Sequence, residues 1–246
     1  MLFKDILTFL NNTIILMTDG KKRNGSDGSD GSGGSDGSGS LTIPNTEINM
    51  ALINSLIDNG WDGEFQKKKG TIVIELDDKA QTLAERIKDR PFEYYEAQRL
   101  AICLAVQMEQ LFKMHKSYLF FDLEDISIID ENWYIINSFD ENSDKIVDIV
   151  VHDDADPRVK VNNVEFGKPV RLSGEYMAPE VKSYFASAKP QIPFNTNVSC
   201  IYYSIALIMM EIMDVDDAEP LNGSPMFFFL NRCLEKNQDN RFFLFV

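Results

Sequence analysis

The chain has 246 residues, of which 44% are hydrophobic, and it carries a formal net charge of −15. That length predicts one globular domain with an appended segment. The acidity argues against binding to nucleic acid or to an anionic membrane, because both require a cationic protein surface. The same acidity favours a basic partner, or it serves solubility alone.

The cysteines predict a reducing compartment. Cys103, Cys200 and Cys233 lie far apart, and no CxxC pair or Cys/His cluster accompanies them. We therefore expect buried free thiols, an intracellular location (cytoplasmic or nuclear) and no zinc site. No basic region followed by a cleavage site opens the chain, so we expect no signal peptide.

Residues 1–24 are predicted to form a separate segment that docks on another surface. The run Thr13–Met17 is rich in β-branched residues, which favours a strand, and it is too short to span a bilayer. The basic run Lys21–Arg23 follows it. Before it, helical spacing makes an apolar stripe that so short a helix cannot bury alone, so the stripe must dock on the main domain or on a partner. Its docking residues are Leu2, Phe3, Ile6, Leu7 and Leu10.

Residues 25–40 contain only glycine, serine and aspartate. This composition predicts a flexible linker with a root-mean-square span of roughly 20–25 Å, enough for residues 1–24 to reach much of the main domain. The regular sequence indicates an engineered insertion that tethers a peptide or replaces a loop, and a natural low-complexity linker is the alternative. The glycines do not make a phosphate-binding loop, because they lack flanking strands and a GxGxxG pattern.

The main domain, residues 41–246, is predicted to begin with a helix. Asn45 or Thr46 can cap this helix at its start, and Asn59-Gly60 ends it. The residues predicted for its buried face are Ile48, Leu52, Ile53, Leu56 and Ile57.

A β-hairpin is predicted next, joining Phe65 to the strand Thr71–Leu76 through a turn at Lys67–Gly70. No strand is predicted to cover the edge of Thr71–Leu76. An open strand edge is a template for strand addition. We therefore expect Thr13–Met17 to add to this edge.

A long helix and a second hairpin are predicted over residues 92–136. The helix is predicted over Phe92–Lys113, with a wide apolar stripe that suits a buried helix. Two β segments follow, at 126–129 and 133–136, separated by a polar turn.

Alternating patterns in Asp144–Val151 and Arg158–Val161 predict a third hairpin with an acidic tip. The aspartates of this tip do not predict a calcium site, because the loop lacks the central glycine and distal glutamate of an EF-hand.

Several short motifs follow the long helix in a fixed order along the chain. The loop Phe120-Phe121-Asp122-Leu123 is followed by a β-hairpin, then by Ala178-Pro179-Glu180, and finally by Arg241. This order resembles the C-terminal lobe of a protein kinase. The resemblance implies an α+β fold: a mainly α-helical protein-kinase-like C-lobe with a reduced N-lobe β element. It also implies a buried ion pair between Glu180 and Arg241.

The run Cys200–Met213 resembles the buried central helix of that lobe, which usually begins Asp-Val-Trp-Ser-Leu-Gly. Ile201 stands in place of the aspartate. The sequence therefore leaves open how the backbone of the loop at Asp122 is held.

The resemblance implies a pseudokinase, because the catalytic pattern is degenerate. Asp122 matches the catalytic base, but Ser127 and Ser138 stand where a kinase has its metal-binding asparagine and aspartate. Phosphoryl transfer depends on metal, lysine and precise positioning, and the glycine-rich loop and strand lysine are also missing. We expect no catalysis, no cofactor and no metal. The predicted function is that of a scaffold that binds a protein or peptide partner, with the tethered 1–24 segment as one candidate.

The alternative function is that of a small atypical kinase or nucleotide-binding protein. Such a protein would keep Asp122 as the base and recruit Glu124, Asp125 or Asp140 to hold a metal.

Overall fold

The computed structural model describes residues 39–77, 79–130, 132–137, 144–151, 162–166, 172–189 and 193–243. The predicted docking residues in 1–24, and Ser138, lie outside these ranges. Within them the fold is α+β, as predicted, with helices and three small antiparallel sheets. The helices are α1 (Glu47–Asp58), α2 (Leu83–Arg86), α3 (Tyr94–Lys113), α4 (Pro179–Ala186), α5 (Cys200–Ile212) and α6 (Pro225–Cys233). The strands are β1 (Gly39–Pro44), β2 (Phe65–Lys68), β3 (Thr71–Leu76), β4 (Gln81–Thr82), β5 (Lys116–Tyr118), β6 (Ile126–Asp130), β7 (Trp133–Ile136), β8 (Ile146–Val151), β9 (Asn162–Phe166) and β10 (Phe194–Asn197).

The first sheet has the strand order β1-β3-β2, so β3 is its central strand. The expectation of an open edge on Thr71–Leu76 is therefore wrong. Gly39–Pro44 pairs with that strand along its whole length, from Gly39 opposite Leu76 to Pro44 opposite Thr71. Gly39 and Ser40, which composition assigned to the linker, belong to the sheet, because their backbone groups take part in this ladder.

Helix α1 begins where predicted and packs against the long helix α3. The Thr46 side chain accepts a hydrogen bond from the Asn49 amide at 3.1 Å, which caps the helix. Leu52, Ile53 and Leu56 are fully buried. Ile57 was predicted on the same face, but 39% of it is exposed. It follows Leu56 directly, and one helical residue turns the side chain about 100° toward solvent.

The second sheet, β4-β6-β7, packs against the long helix α3. Gln107 of α3, a fully buried residue that the sequence did not single out, closes the free edge of β7. Its side-chain amide donates to the Tyr134 carbonyl at 3.0 Å and accepts from the Ile136 amide at 3.0 Å. An unpaired backbone group in this core would cost about 1–3 kcal/mol, so this glutamine stabilises the edge as a neighbouring strand would.

The third sheet has the order β10-β9-β8-β5. In the described residues Ile146–Val151 pairs with Asn162–Phe166, and the predicted second strand, Arg158–Val161, lies outside those residues. β9 also pairs with Phe194–Asn197, a neighbour that the local sequence pattern does not reveal. The segment 152–161, with the predicted acidic tip, lies outside the described residues.

Cys103, Cys200 and Cys233 are buried free thiols, as predicted. Burial raises the pKa of Cys103 to about 11 and that of Cys200 to about 12, because a thiolate is poorly solvated in the core. No helix among the described residues combines the length and apolar character needed to cross a bilayer.

Candidate functional site

The loop that carries Asp122 is anchored on both sides by buried side chains. Leu119, Phe120 and Phe121 precede the aspartate and are all fully buried. Phe121 packs in the main core, whereas Leu119 and Phe120 pack in a second apolar cluster with Val147. Since the chain must place neighbouring aromatic rings in two different clusters, the backbone leading to Asp122 has little freedom.

Helix α5 holds this backbone through Ser204. The Phe121 amide donates to the Ser204 hydroxyl at 2.9 Å, and that hydroxyl lies 3.4 Å from the Phe121 carbonyl, to which it donates in turn. Ser204 is fully buried. Ile201, which stands in the place of the expected aspartate, is also fully buried and offers no hydrogen bond from its side chain. A serine one helical turn later therefore fixes the loop, which answers the question that the sequence left open.

Asp122 and Asp125 cap each other's backbone across a short 3-10 helix, Leu123–Asp125. The Asp122 amide donates to the Asp125 carboxylate at 2.7 Å, and the Asp125 amide donates to the Asp122 carbonyl at 3.0 Å. The Asn137 amide donates to the Asp125 carbonyl at 2.8 Å, which ties the turn to the end of β7. The two carboxylates consequently face the same small region.

Lys145 fills that region. Its ammonium donates to Asp122 Oδ2 at 2.7 Å and to Asp125 Oδ2 at 2.6 Å. Its Nζ also lies 5.1 Å from the centre of the Phe120 ring, and its carbonyl accepts from the Leu119 amide at 3.0 Å. A lysine directly before β8, which the sequence did not connect with Asp122, is therefore bound to it.

The charge state of this cluster follows from its surroundings. Burial alone lowers the pKa of Lys145, but the hydrogen bonds to Asp122 and Asp125 outweigh burial, and the pKa is raised above its ordinary value. The lysine is thus cationic at neutral pH. One positive charge lies between two carboxylates, a position in which a metal ion would sit in a metal-dependent site.

The contacts of Ser127 are with residues outside the cluster of Asp122, Asp125 and Lys145. It is 1% exposed and pairs with Ile135 and Thr82 within the second sheet. Its hydroxyl accepts a hydrogen bond from the Asn137 side chain. The structure thus places Ser127 in a sheet, while it brings Asp122 together with Asp125 and Lys145.

The predicted ion pair between Glu180 and Arg241 is present. Pro179 starts α4, which puts Glu180 in the first helical turn, and Arg241 follows a short 3-10 helix near the end of the described chain. The two guanidinium nitrogens reach the two carboxylate oxygens at 2.5 and 3.1 Å. The arginine also donates to the Glu235 and Lys236 carbonyls at 2.6 and 3.3 Å, and it lies over the Tyr203 ring at 4.8 Å.

Lys145 is the important site residue that the sequence analysis missed. The alternating pattern of Asp144–Val151 assigned it to a strand and gave it no chemical role. One signal was available: it is the only lysine or arginine between Lys116 and Arg158. Because the stretch is otherwise acidic, the charged residues nearest to this lysine in the sequence are carboxylates.

In the part of the chain that the structure describes, no group of three or more histidine, cysteine, aspartate or glutamate side chains is arranged to hold a metal ion. No protein-family model matches the chain, and no curated protein matches it.

Proposed function

We propose that the chain is a non-catalytic protein-kinase-like module, a pseudokinase, that binds a protein or peptide partner inside the cell. The order of its elements supports this proposal. A small sheet with one helix precedes a long buried helix, a loop with Asp122, a hairpin and a helix that begins at Pro179. The ion pair between Glu180 and Arg241 fits the resemblance to a kinase lobe, because it joins the two motifs on which that resemblance rests.

The ion pair of Lys145 with Asp122 is the observation that supports a non-catalytic function. In phosphoryl transfer the aspartate of this loop accepts the proton of the substrate hydroxyl, and metal ions neutralise the transferred phosphate. Here the Asp122 carboxylate is bound to an ammonium group at 2.7 Å, and the same ammonium holds Asp125. The carboxylate that would serve as base is engaged, and a nearby carboxylate suited to metal is engaged with it.

The test is to incubate the full chain with ATP and Mg²⁺ or Mn²⁺ and to measure ADP formation and phosphate transfer. Asp122→Asn is the matched control, because it keeps the size of the side chain and removes the base. We expect the same background rate for both proteins. Phosphate transfer by the wild type that Asp122→Asn abolishes would overturn the proposal.

A small atypical kinase or nucleotide-binding protein is the second candidate, favoured by the retention of Asp122 with a quarter of its side chain exposed. Thermal unfolding with and without ATP and Mg²⁺ separates the candidates. A nucleotide at 100 times its dissociation constant would add about 2.7 kcal/mol to the free energy of unfolding. We expect no shift of the melting temperature.

A further inference from the structure

The outer edge of β1 is the starting point, since β1 is an end strand of the first sheet. The Asn45 amide donates to the Gly70 carbonyl, which fixes which residues of β1 face β3. Backbone groups alternate along an antiparallel strand. Leu41 and Ile43 therefore direct their N–H and C=O groups to β3, and Ser40 and Thr42 direct theirs outward.

Among the described residues, nothing pairs with the outward groups of Ser40 and Thr42. The next outward carbonyl, that of Pro44, is already used, because it accepts from the Thr46 amide and from the Asn49 side chain. The open part of the edge is thus short and sharply bounded at Pro44, which has no N–H to offer a further strand.

Three other strand edges among the described residues are protected, those of β2, β7 and β10. Lys67 and Lys68 are exposed on β2, and edge lysines discourage strand pairing. On β7 the Ile136 amide bonds to Gln107, and on β10 the Asn197 amide bonds to Gln238. β1 differs from these three edges, because its sequence, GSLTIP, contains no charged residue and no side chain of the described residues closes it.

We propose that the run Thr13–Met17 of the same chain pairs with this edge as an antiparallel fourth strand, an assignment that rests on the proposed role of the domain as a binding module. The run is five residues long and rich in β-branched side chains, so it matches the open stretch in length and in strand preference. A parallel pairing needs a connection of a dozen or more residues, and the 21 residues between the two strands, 18–38, are enough for either direction. A flexible coil of that length would span roughly 25 Å, whereas neighbouring strands lie about 5 Å apart.

The charges at the two ends of the sheet favour the antiparallel direction. An antiparallel strand on β1 ends at the Gly39 end of the sheet, so the basic run Lys21–Arg23 emerges there. Glu64, Glu75 and Asp77 are exposed at that end, because Gly39 lies opposite Leu76 and Phe65 lies opposite Ile74. A parallel strand would carry the basic run to the opposite end of the sheet, beside Lys68 and Lys69. Opposite charges at the first end and like charges at the second favour the antiparallel arrangement.

The experiment is residue-resolved amide hydrogen exchange by NMR on the full chain. With the added strand, the amides of Ser40 and Thr42 are protected as well as those of Leu41 and Ile43. Two variants, Ile14→Pro and Ile15→Pro, each remove one N–H, and adjacent residues of a strand point to opposite edges. We expect one of the two to accelerate exchange at Ser40 and Thr42 by about 100-fold or more, and the other to act much less.

Ile14→Val and Ile15→Val are the matched controls, since valine suits a strand and keeps the amide. Leu41 and Ile43 stay protected in every variant and report that the domain is folded. Wild-type exchange at Ser40 and Thr42 as fast as in an open edge, or protection unchanged by both prolines, would overturn the proposal. Protection that disappears on dilution would also overturn it, because it would assign the edge to a second copy. Phosphate transfer from ATP would refute the proposed function and leave these exchange rates unchanged.

Discussion

The clusters around Arg241 and around Lys145 are both ion pairs at motif positions, but they differ in the exposure of the cation. The Arg241 side chain is fully buried and its remaining donors bind backbone carbonyls, while Glu180 keeps 22% of its side chain exposed. The Lys145 cluster keeps between 10% and 25% of each charged side chain exposed. The first pair joins distant segments around a buried guanidinium. In the second, solvent reaches the cation itself. Asp122 is therefore compatible with a structural role, and its presence alone is poor support for catalysis.

The buried pair gives the largest expected effect. Glu180→Ala leaves the buried guanidinium of Arg241 without its carboxylate, and loss of one partner of a buried pair costs roughly 3–5 kcal/mol. Urea unfolding measures the change in the free energy of unfolding. Glu180→Gln is the control, because it keeps a hydrogen-bond acceptor and should recover part of the loss. An unfolding curve for Glu180→Ala that overlays the wild type would contradict the structural role of the pair.

The anchoring of the Asp122 loop by Ser204 is expected to be next in size. Ser204→Ala leaves the Phe121 amide and carbonyl without this partner in the core, at a cost of about 1–3 kcal/mol. Ser187→Ala removes an exposed hydroxyl and should change stability by less than about 0.5 kcal/mol. Equal melting temperatures for the two variants would show that α5 does not hold the loop.

Lys145→Met is expected to cost about 1–2 kcal/mol at neutral pH, because two carboxylates lose a charge-assisted hydrogen bond. The pKa of Lys145 is raised in the folded state by those bonds, which outweigh the lowering effect of burial. Its contribution is therefore complete below the unfolded pKa, about 10.4, and is lost as the pH rises through the folded pKa. The stability gap between wild type and variant should close in that alkaline range.

Two further variants serve as controls for Lys145→Met. Lys116→Met breaks a more exposed pair with Asp148 and should cost less than about 1 kcal/mol. Asp122→Ala should cost less than Lys145→Met, because Asp125 still holds the ammonium. A stability gap for Lys145→Met that stays constant up to the highest pH measured would argue against the ion pair.

The smallest expected effect is the reaction of the three cysteine thiols with a thiol reagent in the folded protein. Burial raises the pKa of Cys103 to about 11 and that of Cys200 to about 12, so neither is a thiolate at pH 8. A colorimetric thiol reagent should therefore react with none of the three cysteines in the folded protein within minutes, and with all three in urea. Rapid reaction of a thiol in the folded protein would show that the core around it opens.

Local patterns were enough to predict helices α1 and α3 and the hairpins β2–β3 and β6–β7. The 3.6-residue period of α3, the capping residue Thr46 and the polar turn between β6 and β7 are encoded by nearby residues. The Glu180–Arg241 pair was also predicted, from a motif resemblance and not from a local pattern.

Features that depend on contacts distant in sequence were missed. β1 pairs with β3 between residues that are 27 to 37 positions apart, and β9 takes a second partner in β10. Gln107, Ser204 and Lys145 each act on a backbone or carboxylate group 20 or more residues away. A polar side chain at a buried position signals that it has a partner, but the sequence does not tell which group that partner is.

The most direct test of the account is an NMR titration of the Lys145 side-chain nitrogen in the wild type and in Asp122→Asn. We expect a wild-type pKa above the ordinary lysine value of about 10.4, and a lower pKa in Asp122→Asn, where one carboxylate is gone. A wild-type pKa at or below the ordinary value, unchanged by Asp122→Asn, would mean that the ammonium does not lie between the carboxylates. Asp122 would then be free to act as a base, and the central claim would fail.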